Sequence, residues 1–447
     1  MKKIYLLLLV LLGLHLFVLT KVQFTAWPEM FSFPYMVNKG LLIYRDFHHA
    51  YQPLLTIILS FVYKIFGYKL LVLQIFTWAL ILISDILIFT ISLNLFGRKL
   101  TSLIPVAAFV ILQPFFEGNM LWFDLATVPL ILFSIWFLFR KNWFWAGFFI
   151  ALGILIKQQV GLLLLGYFVY IWLKKVKFKD FLYFAIGGTL PVVVTFILLF
   201  VNGIFNDYLL WTFTFPLKYL PKIPGYPTWP TLKQDLTLAV LASPFLLLVR
   251  KKYRTPESLF LVVIFLAAIT SSLPRFSYFH LQPMLAIYVI LLGMITVPQN
   301  RLYLLIVPAL VFLYVLKQNL IYFGIPPRFY NKDAESLAKI VRSEIKKNEK
   351  VYLLGSNSLI YILSDTVPPK PWIENYVWHF EIPGMQAKLT TGWEKDPPRA
   401  IFWSDPTAGN WFDVGTYQPK EITEWIRKNY IKRKEVSPGL WVWKKSN

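Results

Sequence analysis

A chain of 447 residues that is 57% hydrophobic and 15% charged, with a mean hydropathy of +0.57, is not an ordinary soluble domain, where about a quarter of residues are charged. The net charge of +22 does not point to nucleic acid, because most of the excess lies in short clusters between apolar runs, where the positive-inside rule puts it. Cysteine is absent, which excludes disulfides and thiolate metal sites.

Apolar runs of roughly 17–25 residues recur over the first three quarters of the chain, each able to cross a hydrocarbon core of about 30 Å as a helix. The first, MKKIYLLLLVLLGLHLFVLT, predicts a span over 4–20 with Lys2 and Lys3 in the cytoplasm. It shares a basic start with signal peptides but lacks a good small-residue cleavage pattern, so it reads as an uncleaved helix. A polar loop follows to about Gln52. The stretch from Pro53 to Gly67 is apolar, short for a span, and carries Lys64. It is expected to lie along the outer surface as an interfacial helix. Further spans are expected over 70–95, 101–116, 125–139, 143–156, 160–173, 181–202, 236–249, 257–273, 281–297 and 302–322. An aromatic and Pro-rich loop occupies 204–234.

This threading gathers Lys2/Lys3, Arg98/Lys99, Arg140/Lys141, the Lys174–Lys179 cluster, Arg250–Arg254 and Arg301 on one side, which is then cytoplasmic. Counting the 53–67 stretch as a span would invert every later loop. From about Ile325 the long apolar runs stop and charge rises. The segment 333–347 reads as an amphipathic helix, 349–355, 399–403 and 440–443 as strands, and 421–429 as another helix. The expected fold class is therefore mainly α: a polytopic membrane helical bundle of about eleven transmembrane helices with outer-face interfacial helices, and a small C-terminal α/β extracytoplasmic domain. The expected domains are residues 1–324 and 325–447, with the N-terminus cytoplasmic.

Ionisable side chains at a membrane edge are costly and mark function by default. On the outer side they collect in three places. The loop after the first span holds Glu29, Tyr44, Arg45, Asp46, His48, His49 and Gln52. A carboxylate at an apolar rim has a raised pKa and suits a general base; the plainer reading is a solvated loop with an Arg45–Asp46 pair. The loop EGNMLWFD holds Glu117 and Asp124, the latter also a fit for a helix N-cap. The third group is cationic: Lys157 in LIKQQVG, beside Gln158, with Arg275 and His280 in LPRFSYFHLQP. Arg grips a phosphate bidentately and Lys acts as a point charge, although snorkelling to lipid phosphates would also place cations here. The carboxylates either deprotonate a hydroxyl or hold a divalent metal, with Glu29 and Asp46 the candidates for Mg²⁺ or Mn²⁺.

These segments, in this order, resemble the GT-C superfamily of integral membrane glycosyltransferases, in particular the bacterial branch of protein O-mannosyltransferases and lipid A aminoarabinose transferases. The resemblance rests on the acidic first outer loop, GLLIYRDF followed by a Pro-led interfacial helix ending in FG, the acidic second loop, LIKQ, and RFSYFHLQP. It covers nearly the whole chain. It implies transfer of a sugar from a polyprenyl-phosphate donor to an acceptor at the outer face, with inversion and a first-loop carboxylate as base. Glu29 matches that base best, Asp46 is the next candidate, and Asp124 matches the second-loop acid. Arg45, His49, Lys157, Gln158, Arg275 and His280 would handle the carrier phosphate. The chain departs from the pattern at WPEM, which lacks an adjacent Asp-Glu pair, and at Gln52, where the aminoarabinose enzymes have Lys. The rival reading is a transporter or flippase. Transporters place ionisable residues near the midplane and show internal repeats; here the charges cluster at one face and no repeat is visible. A non-catalytic subunit would not need so many acids and cations at the membrane edge.

Overall fold

The computed structural model describes residues 2–97, 100–223, 225–249, 255–296, 302–404 and 417–445. The basic clusters at Arg98/Lys99, Arg250–Arg254 and Arg301 lie outside them. In chain order the helices are α1 (Lys2–Lys21), α2 (Glu29–Asn38), α3 (Leu54–Phe66), α4 (Leu70–Phe96), α5 (Leu103–Leu112), α6 (Phe123–Phe139), α7 (Trp143–Ile154), α8 (Leu164–Leu173), α9 (Phe178–Val201) and α10 (Phe205–Leu209). They continue with α11 (Leu232–Ala242), α12 (Pro256–Ile269), α13 (Gln282–Thr296), α14 (Ile306–Asn319), α15 (Lys332–Glu344), α16 (Leu359–Ser364), α17 (Val377–Phe380), α18 (Met385–Lys395) and α19 (Lys420–Asn429). Each of the eleven expected spans is helical, several being completed by a 3₁₀ turn.

Among the described residues five helical segments are long and apolar enough to cross a membrane: Lys3–Lys21, Leu70–Phe96, Phe178–Val201, Tyr278–Thr296 and Tyr303–Tyr322. Helix α3, expected over 53–67, starts after Pro53 and stops at Gly67, whose φ of 79° suits only glycine. Its 13 residues reach about 20 Å, short of a hydrocarbon core of about 30 Å.

The chain forms two compact units. The first comprises Met1–Thr25, Leu73–Leu198 and Thr228–Pro326. Its core is built on α13, whose side chains are buried all round, as expected of a helix surrounded by others. Helices α7 and α9 cross closely because small residues meet there. A Cβ on Gly147 would run into the Phe184 carbonyl, and one on Gly187 into the Phe144 carbonyl. Small residues at such crossings allow the backbone approach on which helix association in lipid depends. The hydroxyl of Ser134 donates to the Ala146 carbonyl at 2.6 Å and accepts from Tyr167 at 2.6 Å, tying α6, α7 and α8 together.

The second unit comprises Ala26–Val72, Leu199–Pro227 and Pro327–Asn447. Its sheet has four strands, β1 (Val351–Leu354), β2 (Ala400–Ser404), β3 (Tyr430–Ser437) and β4 (Leu440–Lys445), in the order β1-β2-β4-β3. β1 and β2 are parallel, β1 buried throughout and β2 over Ala400–Trp403; β4 pairs antiparallel with β2, with Trp403 opposite Trp441. The edge strand β3 (YIKRKEVS) is polar and exposed, which discourages further strand addition. Segments expected to be loop are ordered here. WPEM opens α2, and the 204–234 stretch begins with α10 and continues as a π-helix over Leu210–Tyr219. One of the several chain crossings between the two units falls at Pro326/Pro327.

The glycine contact gives a direct test. Gly147→Leu is expected to lower stability by about 1–3 kcal/mol through overpacking, read as a lower thermal unfolding midpoint in detergent. Gly13→Ala, where an added Cβ meets nothing within 4 Å, is expected to leave the midpoint unchanged.

Candidate active site

In the first unit Asp124 is a junction. It lies in the first turn of α6, but Trp122 is the N-cap residue and Asp124 caps nothing. One carboxylate oxygen is 2.6 Å from Lys157 Nζ and the other is 2.7 Å from His280 Nδ1. Lys157 also donates to the Ser271 carbonyl at 3.2 Å. Asp124 is 0% exposed and Lys157 2%, so Lys157 does not snorkel. The apolar medium makes an isolated charge there prohibitive, and the pair neutralises it. The local backbone positions the partners: Lys157 sits in extended conformation just before the 3₁₀ turn Gln158–Leu163, and His280 lies in the 3₁₀ turn Tyr278–Leu281. Glu117 accepts from Ser277 Oγ at 2.5 Å and from the Phe279 N–H at 3.3 Å. The EGNMLWFD loop and the RFSYFH segment are therefore joined twice. Arg275 is held at its backbone by pairing with Thr228. Gln158 is half-buried at the start of its turn.

The same unit contains a pair that the sequence reading missed. His15 Nδ1 is 2.8 Å from Asp85, and its Nε2 is 3.2 Å from Gln113 Oε1; Gln113 then donates to Gln282 at 3.1 Å. His15 and Asp85 are fully buried. Single polar residues inside long apolar runs were the available signal.

In the second unit Glu29 is buried in the first turn of α2. One carboxyl oxygen accepts from the Tyr376 hydroxyl; the other has no hydrogen-bond partner among the described residues. Burial pushes Glu29 up to about 7, against the Tyr376 hydrogen bond, which favours the charged form. Glu374, two residues before Tyr376, is also buried, and burial together with the Glu29 charge raises it well above the usual carboxylate range. Neither Glu374 nor Tyr376 was picked out from the sequence, because nothing local in KPWIENYVW shows that it packs on a segment more than 300 residues earlier.

The remaining first-loop residues are engaged separately. Asp46 accepts from Lys370 Nζ at 2.7 Å and from the Leu42 N–H at 2.9 Å. Arg45 pairs with Asp207 at 3.0 Å and donates to the Gly203 carbonyl, so the two neighbours do not pair with each other. His49 sits between the Tyr51 carbonyl and Thr56 Oγ1, each at 2.9 Å, and burial lowers it to about 4. It is neutral at pH 7 and fixes the loop. His48 packs edge-on against His379, Trp211 and Phe215, and burial keeps it neutral too. As a metal site the pair Glu29/Asp46 does not fit. Each carboxylate has its own protein partner, and no group of three or more His, Cys, Asp or Glu able to hold a metal exists among the described residues.

No protein-family model and no curated protein matches the sequence. Solved structures do match in fold. ArnT from Cupriavidus metallidurans in its apo state aligns at a TM-score of 0.59 with 10% identity, over 99% of this chain and 98% of that one. The same protein bound to undecaprenyl phosphate aligns at 0.61 with 11% identity, over 99% and 97%. The Archaeoglobus fulgidus oligosaccharyltransferase in complex with zinc and sulfate aligns at 0.48 with 10% identity, over 95% and 70%, below the level from which a shared fold is read. The chain has the fold of ArnT, and with its long apolar helices it is a membrane protein.

The ion triad has a measurable consequence. Asp124→Asn leaves Lys157 charged and buried without its counter-ion and is expected to cost about 3–5 kcal/mol. The unfolding midpoint in detergent is expected to fall accordingly, and to recover in part when Lys157→Met is added.

Proposed function

We propose that the chain is a glycosyltransferase that moves a sugar from a polyprenyl-phosphate donor to an acceptor at the outer face of the membrane, with inversion and with Glu29 as general base. The carrying observation is the state of Glu29: a buried carboxyl, held by one oxygen, with the other unpartnered and its proton affinity raised to about 7. A base with a pKa near the working pH combines a useful ionised fraction with real proton affinity. Asp46 is the weaker choice because a cation and a backbone N–H already occupy it. The undecaprenyl phosphate bound by the similar ArnT supports a polyprenyl-phosphate carrier. The N-terminus is cytoplasmic and the domain from about 325 extracytoplasmic on this reading, which follows the distribution of Lys and Arg.

In the reaction the acceptor hydroxyl gives its proton to Glu29 while its oxygen bonds the anomeric carbon on the face opposite the phosphate. The carbon–oxygen bond to the carrier breaks, and polyprenyl phosphate leaves with the electron pair. Arg275 is assigned to that phosphate, because a guanidinium suits it bidentately. Lys157 is already neutralised by Asp124, so the Asp124–Lys157–His280 triad is assigned to positioning, with Gln158 beside it. Arg45 and His49 are likewise assigned to holding the first loop. The buried His15–Asp85 pair is the feature that favours transport instead; release of free carrier separates the two readings.

Purified protein in lipid, offered polyprenyl-phosphate sugars, is expected to release free polyprenyl phosphate. Glu29→Gln is expected to slow this by about 10²–10⁴-fold while still binding donor. Wild-type turnover in that variant, or passage of labelled lipid across the bilayer without release, would reject the assignment. The rate should fall as pH drops through about 7, where Glu29 takes up its proton. In Tyr376→Phe the lost hydrogen bond had favoured the carboxylate, so this acid limb should move to higher pH. Arg275→Ala is expected to raise the donor KM about tenfold, equivalent to about 1.4 kcal/mol, with kcat little changed.

A further inference from the structure

The C-terminal part of the second unit contains a cavity of about 820 Å³ that the proposed chemistry does not use. It opens where β1 and β2 begin and β4 ends, beside the last turn of α15. Seven Lys or Arg side chains line it, with two Glu. From residue 327 onward the chain has 19 Lys and Arg against 14 Asp and Glu, so an even mixture would bring nearly equal numbers of each sign. The cations come from four stretches distant in sequence: Arg342, Lys346 and Lys350 between the end of α15 and the start of β1, Arg399 before β2, Arg433 on β3, and Lys444 and Lys445 closing β4.

Ordinary structural roles account for some of them. Arg342 lies in the last turn of α15, where a cation complements the helix dipole. Lys350 pairs with Asp396. Lys444 shares Glu344, at 3.6 Å, with Lys434 at 2.5 Å. The other acid, Glu349, accepts from the Lys346 N–H at 3.0 Å. This leaves the side chains of Lys346, Arg399, Arg433 and Lys445 exposed and without an ion pair among the described residues. None of them flanks a span, so the positive-inside rule does not explain them. Like charges gathered in one concavity repel one another and focus an attractive potential on an incoming anion.

We propose that this groove binds a phosphate-bearing glycan or polyol chain and that, given the transferase reading above, this chain is the acceptor. Arginine favours phosphate through paired N–H donors in a fixed fork, and three of the lining residues are arginines. The volume falls within the roughly 300–1,000 Å³ of sites that enclose discrete ligands. A flat anionic membrane surface would need no such concavity.

The test uses the full chain in discs of zwitterionic lipid and a fluorescent poly(glycerol phosphate). Saturable binding that weakens with salt is expected, since ion release accompanies each phosphate contact. The double variant Arg399→Glu/Arg433→Glu is expected to bind about tenfold more weakly or worse, while Arg399→Lys/Arg433→Lys retains most of the affinity. Equal binding by wild type and the Glu double variant overturns the proposal. So does equal affinity for poly-glutamate, and so does a loss confined to anionic vesicles, which would make the groove a membrane contact. Glu29→Gln separates the two readings: it should bind the polymer as wild type does. If it also turns over donor normally, the base assignment fails and the groove stands.

Discussion

Charge in an apolar medium must be neutralised by a partner, by a proton or by both, and this constraint shapes both candidate regions of the chain. Lys157 is tolerated at 2% exposure because Asp124 is 2.6 Å away, and Asp124 in turn binds His280. Removing Asp124 or Lys157 alone would leave an uncompensated charge whose solvation cost exceeds what packing returns. Glu29 meets the same constraint differently. It has no cation, so burial raises its pKa until a proton is held near neutrality. One carboxylate is thereby fixed as an ion and the other is poised between its two states.

The same constraint explains how the chain divides. Runs of apolar residues satisfy their backbone internally as helices and pack on one another, forming the first unit around α13. The intervening polar segments are not slack connections. Residues 26–72 and 199–227 join the chain beyond 327 in the second unit. The joins are specific: Phe47 pairs with Trp372 as a short parallel bridge, the His48 N–H donates to the Trp372 carbonyl at 3.0 Å, and Lys370 reaches Asp46. One ion pair and a strand-like bridge with its backbone hydrogen bond hold the first loop to a segment more than 300 residues later.

Much of this was legible in the sequence. Hydropathy located the long apolar helices, because twenty apolar residues have few other solutions in water or lipid. The Pro53 and Gly67 boundaries marked α3, and the amphipathic patterns of α15 and α19 were visible in their periodicity. What was illegible has a common cause. Helix α2 reads EMFSFPYMVN, with an internal proline and no polar face, so local propensity argues for loop; it is helical because nearly all of it is buried. The edge strand β3 carries KRK and shows no alternation. The partners of the candidate residues were hidden for the same reason. That Asp124 meets Lys157 and His280, or that Glu29 meets Tyr376, depends on tertiary packing over separations of 33 to 347 residues.

Those separations also bear on the role of the C-terminal chain. If it were an appendage, the first-loop carboxyl would meet water, keep an ordinary pKa, and be mostly ionised and weakly basic at neutral pH. Instead the segment around Glu374 and Tyr376 packs on Glu29 and supplies its hydrogen-bond donor, and the Glu29 charge in turn raises the buried Glu374. Desolvation raises the proton affinity of Glu29; the tyrosine hydroxyl limits the rise by favouring the anion. Two carboxylates in one chain thus acquire different chemistry from their surroundings alone. For Glu29 those surroundings are supplied by residues beyond 327, which makes the C-terminal chain part of the proposed base and not a separate module.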